Sequence, residues 1–421
     1  VYSSIVQCKN TYAQARSKKI LQDLSGFIKQ AEKKGKKLVL LLIDIDDLGY
    51  TNNVSGREAG DCVICAAESI LSENVSGTVH AYRLEGDLFA VIGENISSRT
   101  VVHGLCQHIF LGFSRHRISI SMGISMYPAH DREPSFLLRD ADLALRYAKH
   151  NFKGNYYMYT PEMYTCFMQE MQVQQHVTSA LKNDEFVLYY QPQYYIGSHE
   201  LRGFEALIRH NDPLAGLQSP ASFIPAAEKS NLINDIGEWV MENALKNLLE
   251  LQNGTGFDGI ISVNVSPKQL LAPLFLTQFK RLLRKYRVND PSRIELEITE
   301  SSFIHDAPRA VAVLDGIRKT GAKISIDDFG SGYSSLYILS MLPVDTIKID
   351  KSFVDTITDE HCINNEIIKA VTGVSRKAGI ETIAEGVETD QQLAFLSGVS
   401  CSCLQGFLWG KPMPFADCMK L

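Results

Sequence analysis

From about residue 170 to the carboxyl terminus, short apolar runs alternate with amphipathic segments eight times, and this repetition restricts the fold more than any other feature of the chain. The runs are FVLYYQP, LRGFEALI, IISVNVS, RIELEIT, KISIDDF, TIKID, ETIAEGV and CSCLQGF. Each has the length of a strand, and the segments between them carry helical periodicity. Eight strand-and-helix repeats in about 250 residues are what a TIM-like (β/α)8 barrel requires, and such barrels keep their reactive groups at the carboxyl ends of the strands.

Polar residues gather at those ends. Glu205, Asn264, Glu297, Asp327, Asp328, Lys348, Glu385 and Gln405 fall late in the runs or just after them. A lone acid there is ordinarily a turn or cap residue, but recurrence on seven of eight strands needs another cause. Carboxylates with one Asn amide suit a hard cation, Mg²⁺ or Mn²⁺. The adjacent pair Asp327 and Asp328 is the sharpest case, because neighbouring strand residues face opposite sides and a buried unpaired carboxylate is costly. The expectation is that the strand frays at Asp327, so that one Asp bridges two ions while its neighbour grips one. Two ions about 4 Å apart stabilise the attacking and leaving oxygens of phosphoryl transfer, and Lys348 would orient the nucleophile and offset developing charge.

At 421 residues the chain is too long for one ordinary domain, and two are expected. Nine scattered cysteines argue against a disulfide framework and for a reducing cytoplasm. The CVIC at Cys62 and Cys65 sits in a helix-like run without a second ligand pair at zinc spacing. Residues 1–160 carry 19 basic and 16 acidic side chains, net +3, and residues 161–421 carry 23 and 32, net −9. Neither half looks built to bind a nucleic acid polymer. No signal peptide is evident and no run approaches the roughly 18 apolar residues of a membrane span. The opening on Val1 suggests the cytoplasmic part of a longer sensor or membrane protein.

The amino-terminal part reads differently. LVLLLIDIDDL is an apolar strand ending in acids, and VHAYRLEGDLFAVIG reads as two strands about a tight turn, with helical patterns before and after. This is an α/β unit with a mixed sheet over residues 1–160, followed by a linker helix at 161–172 and the barrel at 173–421.

YYQPQ at 189–193, FEALIR at 204–209, FIPAAE at 223–228, NVSPKQL, LEITES, IDDFGSGYSS, IKIDKSFV, AEGVET and QGFLWGKPMP resemble, in order, an EAL-domain cyclic di-GMP phosphodiesterase. By that resemblance Glu205, Asn264, Glu297 and Asp327 would hold metal, with Asp328 on the second ion. Lys348 and Glu385 would position the water, and Glu300 would steady the loop after Asp328. Of the two amides in QPQ, Gln191 is expected to touch the nucleotide, Arg209 to meet a phosphate and Gln405 to contact a base. The implied reaction is hydrolysis of cyclic di-GMP to linear pGpG. A receptor that binds without hydrolysis and a bifunctional cyclase and phosphodiesterase are the competing readings. The loop around Gly330 and Gly332, where Ser331 replaces the family's usual threonine, implies a homodimer through the barrel.

Residues 1–160 resemble a GGDEF diguanylate cyclase domain whose signature has become RLEGDLF. Glu85 puts bulk and negative charge where a glycine lets the backbone approach phosphates, and Leu88 removes a carboxylate. Asp87 remains, as do Asp44 for metal, Asn52 and Asp61 for guanine, and Lys149 and Lys153 for phosphate. These residues leave GTP sensing open beside a purely structural, dimer-promoting role. Ser76 and Val79 stand where the family's product-inhibition motif would have Arg and Asp, and SSIVQCKN departs from its usual opening.

Overall fold

The computed structural model describes residues 19–74, 77–96, 98–299, 307–329, 343–357 and 362–421. The chain divides into two compact units between Met171 and Gln172. Among the described residues no helix is long and apolar enough to cross a membrane.

The first unit is built on a five-stranded mixed sheet in the order β2-β3-β1-β4-β5. Its strands are β1 (Leu38–Ile45), β2 (Val79–Glu85), β3 (Leu88–Glu94), β4 (Ile120–Tyr127) and β5 (Tyr156–Met158). Only the β4–β5 pair is parallel. β1 is buried at every position, which explains why LVLLLIDI shows no polar alternation: both faces of the central strand are covered. Leu38, Leu40 and Leu42 pack with Ile20, Leu24 and Leu137 on one face. Val39, Leu41 and Ile43 pack with Ile64, Ile109 and Phe113 on the other. Where the helix Pro134–Asn151 crosses β4, a Cβ on Gly123 would lie 2.0 Å from the Ala141 carbonyl oxygen, so glycine sets that approach.

The helix Pro161–Lys182 does not stop at residue 172. Its Met163 and Phe167 pack against Leu143 and Tyr159, while Val177 and Ala180 belong to the barrel core.

In the second unit the eight expected runs are the eight barrel strands. They are β6 (Phe186–Tyr195), β7 (Leu201–Asp212), β9 (Ile260–Val265), β10 (Ile294–Thr299), β11 (Lys323–Phe329), β12 (Thr346–Ile349), β13 (Glu381–Glu385) and β14 (Cys403–Gln405), with short β8 (Gly216–Gln218) and β15 (Met413–Pro414) as additions. β7, β9, β10, β11, β12, β13 and β14 run parallel in succession. β6 closes the ring antiparallel to both β7 and β14, a departure from the regular all-parallel barrel. Leu232–Thr255, Phe275–Lys285, Ala307–Arg318, Ile363–Ala378 and Asp390–Gly398 are the main helices, and their apolar faces merge with the strands into one core. IELEIT shows how that core is shared. Ile294, Leu296 and Ile298 belong to the apolar cluster, whereas Glu295 and Glu297, equally buried, occupy the opposite face and point into the barrel.

Candidate active site

Parallel registry carries the strand ends to one level. Glu297 on β10 is in register with Asn264 on β9, and Glu385 on β13 with Gln405 on β14. At the centre is the buried ammonium of Lys348, which lies 2.6 Å from Glu297 Oε2, 2.6 Å from Glu385 Oε1, 3.2 Å from Glu205 Oε2 and 3.3 Å from Asp327 Oδ1. Burial alone would lower the lysine's pKa, but the charges of Asp327, Glu205, Glu297 and Glu385 outweigh it and raise it well above the usual value.

The paired aspartates are accommodated by a bulge rather than by fraying. Ile326 pairs with Ile347 and Phe329 with Ile349, so Asp327 and Asp328 together stand opposite the single Lys348. Asp328 takes a left-handed φ of 54°, and the strand then resumes at buried Phe329. The extra residue re-aims the side chains. Asp327, Asp328 and Glu385 thereby each present an oxygen within 4.8 Å of the others.

Glu205 is held on every side. Asn264 Nδ2 donates to its Oε1 at 2.6 Å, and Gln405 Nε2 to its Oε2 at 2.6 Å. Burial pushes its pKa up, but the Lys348 charge and these donors leave it below the ordinary range. Glu297 goes the other way: burial and the Glu205 charge raise it well above the ordinary value despite Lys348. Burial, against the pull of Lys348, lifts Glu385 to about 8, and burial followed by the Asp327 charge raises Asp328.

Glu297 Oε1 is buried with no hydrogen-bond partner among the described residues, an arrangement that is costly unless something else binds it. Five carboxylates around one ammonium carry four negative charges in excess when ionised. Two divalent cations would balance that excess, and the oxygen donors match hard-ion chemistry. The residues present therefore fit such ions.

The reversed direction of β6 moves the expected nucleotide amides. Gln191 is level with Glu205, but Gln193 is level with Gly203, one layer deeper. Gln191 donates to the Gly410 carbonyl at 3.3 Å and accepts from Gln405 at 3.2 Å. Gln405 is itself buried among Gln191, Gln193 and Glu205. Arg209 lies over the Tyr189 ring at 5.9 Å. A cavity of about 510 Å³ opens beside Asn264, between the middle of β7 and the helices Ile224–Ser230 and Leu232–Thr255, with a lining that includes Ile208, Ile224, Pro225 and Val240. Glu300 and the loop with Gly330, Ser331 and Gly332 lie outside the described residues.

A second polar layer beneath the ring escaped the sequence reading. Arg202, fully buried, pairs with both oxygens of Glu295 at 2.9 and 3.1 Å. Ser262 and Thr346 donate to the same carboxylate. The alternation in IELEIT was the available signal, because Glu295 stands two residues before Glu297 on the same face.

In the first unit, Lys149 Nζ sits on Asp44 Oδ1 at 2.7 Å and Lys153 Nζ on Asp47 Oδ1 at 2.6 Å. Burial raises the Asp44 pKa against the pull of Lys149. Asn52 packs against Gly60, where an added Cβ would fall 1.9 Å from its Oδ1, and Asp61 follows on the same helix. Glu85 is exposed at the end of β2, and Gly86 and Asp87 make the turn. Leu88 is the register partner of Asp44 and packs with the apolar cluster of Leu84 and Ala90. Asp46, not singled out from the sequence, is a brace that accepts from Ser119, Ser121 and the Gly154 amide.

A barrel closed by one reversed strand, with five carboxylates, an amide and a lysine at one end, defines an acidic centre suited to divalent cations. Residues 174–412 match the EAL domain and residues 17–155 the diguanylate cyclase GGDEF domain, and the chain belongs to the EAL family, with a GGDEF domain ahead of the barrel. It is 33% identical over 398 residues to the bifunctional diguanylate cyclase/cyclic di-GMP phosphodiesterase MucR of Pseudomonas aeruginosa, covering 93% of this chain and 58% of that protein. It is 30% identical over 386 residues to the cyclic di-GMP phosphodiesterase PdeR of Escherichia coli, covering 90% of this chain and 58% of that protein. The chain thus spans little more than half the length of these relatives. Among solved structures, the PaMucR phosphodiesterase in complex with c-di-GMP is 37% identical, with a TM-score of 0.56 over 59% of this chain and 99% of that one.

Proposed function

We propose that the barrel hydrolyses cyclic di-GMP to linear pGpG with two divalent ions, Mg²⁺ or Mn²⁺, held by Glu205, Asn264, Glu297, Asp327 and Asp328. The observation that carries this reading is the ring itself: Glu205, Glu297, Asp327 and Glu385, from four different strands, converge on Lys348, with Asp328 beside Asp327 and Glu385. Bound ions would polarise the phosphodiester and lower the pKa of water. Asn264 commits Nδ2 to Glu205, which leaves Oδ1 as its donor atom for a cation. Lys348 would offset the charge that grows on the phosphoryl oxygens, and Glu385, 2.6 Å from Lys348, would orient the attacking water and take its proton. Water adds across one P–O ester bond, giving a 5′-phosphate on one guanosine and returning a 3′-hydroxyl to the other. The cavity beside Asn264 would give a guanine an apolar surface, while Gln191, level with Glu205, would touch the nucleotide and Arg209 would meet a phosphate.

The GGDEF half is proposed to make no cyclic di-GMP. Leu88 fills the place opposite Asp44 with an apolar side chain, and Lys149 is drawn onto Asp44. GTP would be bound by Asp44, Asn52, Asp61, Asp87, Lys149 and Lys153, and would act as a regulator. A cytoplasmic place follows from a nucleotide substrate and free cysteines, and a homodimer through the barrel completes the proposal.

The deciding experiment mixes purified protein, Mn²⁺ and cyclic di-GMP without GTP and looks for pGpG. Product supports the phosphodiesterase; tight binding without product would make the barrel a receptor. Sedimentation at working concentration tests the dimer, and a fully active monomer would refute it.

A further inference from the structure

Beneath the ring, a directional chain of side-chain amides links a group that can only donate to a group that, when ionised, can only accept. Arg202 Nη1 donates to Gln193 Oε1 at 2.7 Å. Gln193 must then present Nε2, which donates to Gln405 Oε1 at 2.9 Å. Gln405 in turn presents Nε2, which reaches Glu205 Oε2 at 2.6 Å. An amide has one donating and one accepting end, and the guanidinium has no acceptor, so one orientation of both glutamines satisfies all three bonds. All four side chains are buried, which leaves water little room to rescue a reversed amide.

We propose that Arg202 is a positioning residue for the catalytic ring: held by Glu295, it sets the polarity of Gln193 and Gln405 and so fixes the Glu205 carboxylate for its cation. The fold supplies the means. Arg202 is the extra residue of a β7 bulge, since Gln193 pairs with Gly203 and Tyr194 with Leu201. That bulge turns Arg202 towards Glu295 inside the barrel, while Gly203 lies so close to β9 that a Cβ would sit 2.0 Å from the Ile260 oxygen. Thr346 and Ser262 complete the cradle of Glu295, and Glu381 accepts from Arg202 Nε at 3.1 Å. The inference rests on reading the ring as a cation site, and it adds Arg202, Gln193 and Glu295, which lie in the layer beneath the ring.

The test measures Mn²⁺ affinity of the full chain, without nucleotide, from the electron paramagnetic resonance of free Mn²⁺. Gln193→Glu keeps the acceptor for Arg202 but cannot donate to Gln405, which must turn its oxygen towards Glu205; Mn²⁺ affinity should fall about tenfold or more. Gln193→Met imposes no reversed polarity and should stay within about threefold. The Arg202→Met, Glu295→Met pair cuts the same chain without imposing a reversed polarity, so it should lose no more than Gln193→Met does, and Arg202→Lys, which still donates to Gln193, should match the wild type. If the methionine pair does not fold, the Gln193 variants decide alone. Gln193→Glu binding Mn²⁺ as tightly as the wild type, or equal affinities for Gln193→Glu and Gln193→Met, would overturn the proposal. A wild-type protein that binds Mn²⁺ but leaves cyclic di-GMP intact would remove the phosphodiesterase reading while the Mn²⁺ comparison still stands.

Discussion

Replacing Lys348 with methionine should separate the lysine's structural role from its chemical one. In the wild type its buried ammonium touches four carboxylates, and methionine nearly preserves the volume while removing the cation that, among the described residues, sits between them. Losing one partner of a buried ion pair costs about 3–5 kcal/mol, because the remaining charge stays buried. Proton uptake by Glu297 and Glu385, whose pKa values are already raised, keeps the expected cost near the lower figure, about 3 kcal/mol. Divalent ions supply the missing charge. An ion at 100 times its Kd stabilises by about 2.7 kcal/mol, and the variant should bind more tightly than wild type because no ammonium opposes the ion. Urea unfolding of the barrel in EDTA and in Mn²⁺ therefore has a definite pattern: a large deficit in EDTA that shrinks when Mn²⁺ is added. Turnover of cyclic di-GMP should nonetheless stay low by a factor of about 10²–10³, the usual loss of one transition-state donor. A variant as stable as wild type in EDTA, or one with near wild-type turnover in Mn²⁺, would refute the reasoning.

Glu205→Ala should abolish pGpG formation and weaken Mn²⁺ binding while leaving circular dichroism unchanged, since it removes a carboxylate and little apolar area; near wild-type turnover would sink the assignment. The same variant, given GTP and Mg²⁺, should accumulate no cyclic di-GMP, and detection of the dinucleotide by mass spectrometry would overturn the reading of EGDLF. Asp328→Gly relieves the left-handed backbone at φ 54° and should be more thermostable than Asp328→Ala by about 1 kcal/mol, with both inactive; equal stabilities would remove the strain argument. Glu242, hydrogen-bonded by Lys285 and Tyr286, is depressed to about 2. Because the folded pKa lies below the unfolded one, its stabilisation is present at neutral pH and is lost as pH falls from about 4.5 towards 2. Partial exposure limits it to about 1 kcal/mol. Glu242→Gln should be weaker by that amount at pH 7 and equal to wild type near pH 2, as read from denaturant midpoints.

The eight runs, their order and the polar residues closing seven of them were legible in the sequence because strand periodicity and strand ends are local properties of the chain. IELEIT or TIKID fixes which side chains share a face whatever its neighbours are. Strand direction and bulges are not local. β6 runs against its neighbours because of how the ring closes, and this put Gln193 beneath the ring although QPQ reads as a strand end. At Asp327 and Asp328 the sequence posed the conflict of two adjacent carboxylates. Fraying and bulging were both consistent with it, and only pairing with β12 decided for a bulge that returns Phe329 to the core. Nothing in the sequence singled out Arg202. Its burial depends on Glu295, Gln193 and Thr346 from three other strands, and a buried charge is tolerated only when such partners arrive together.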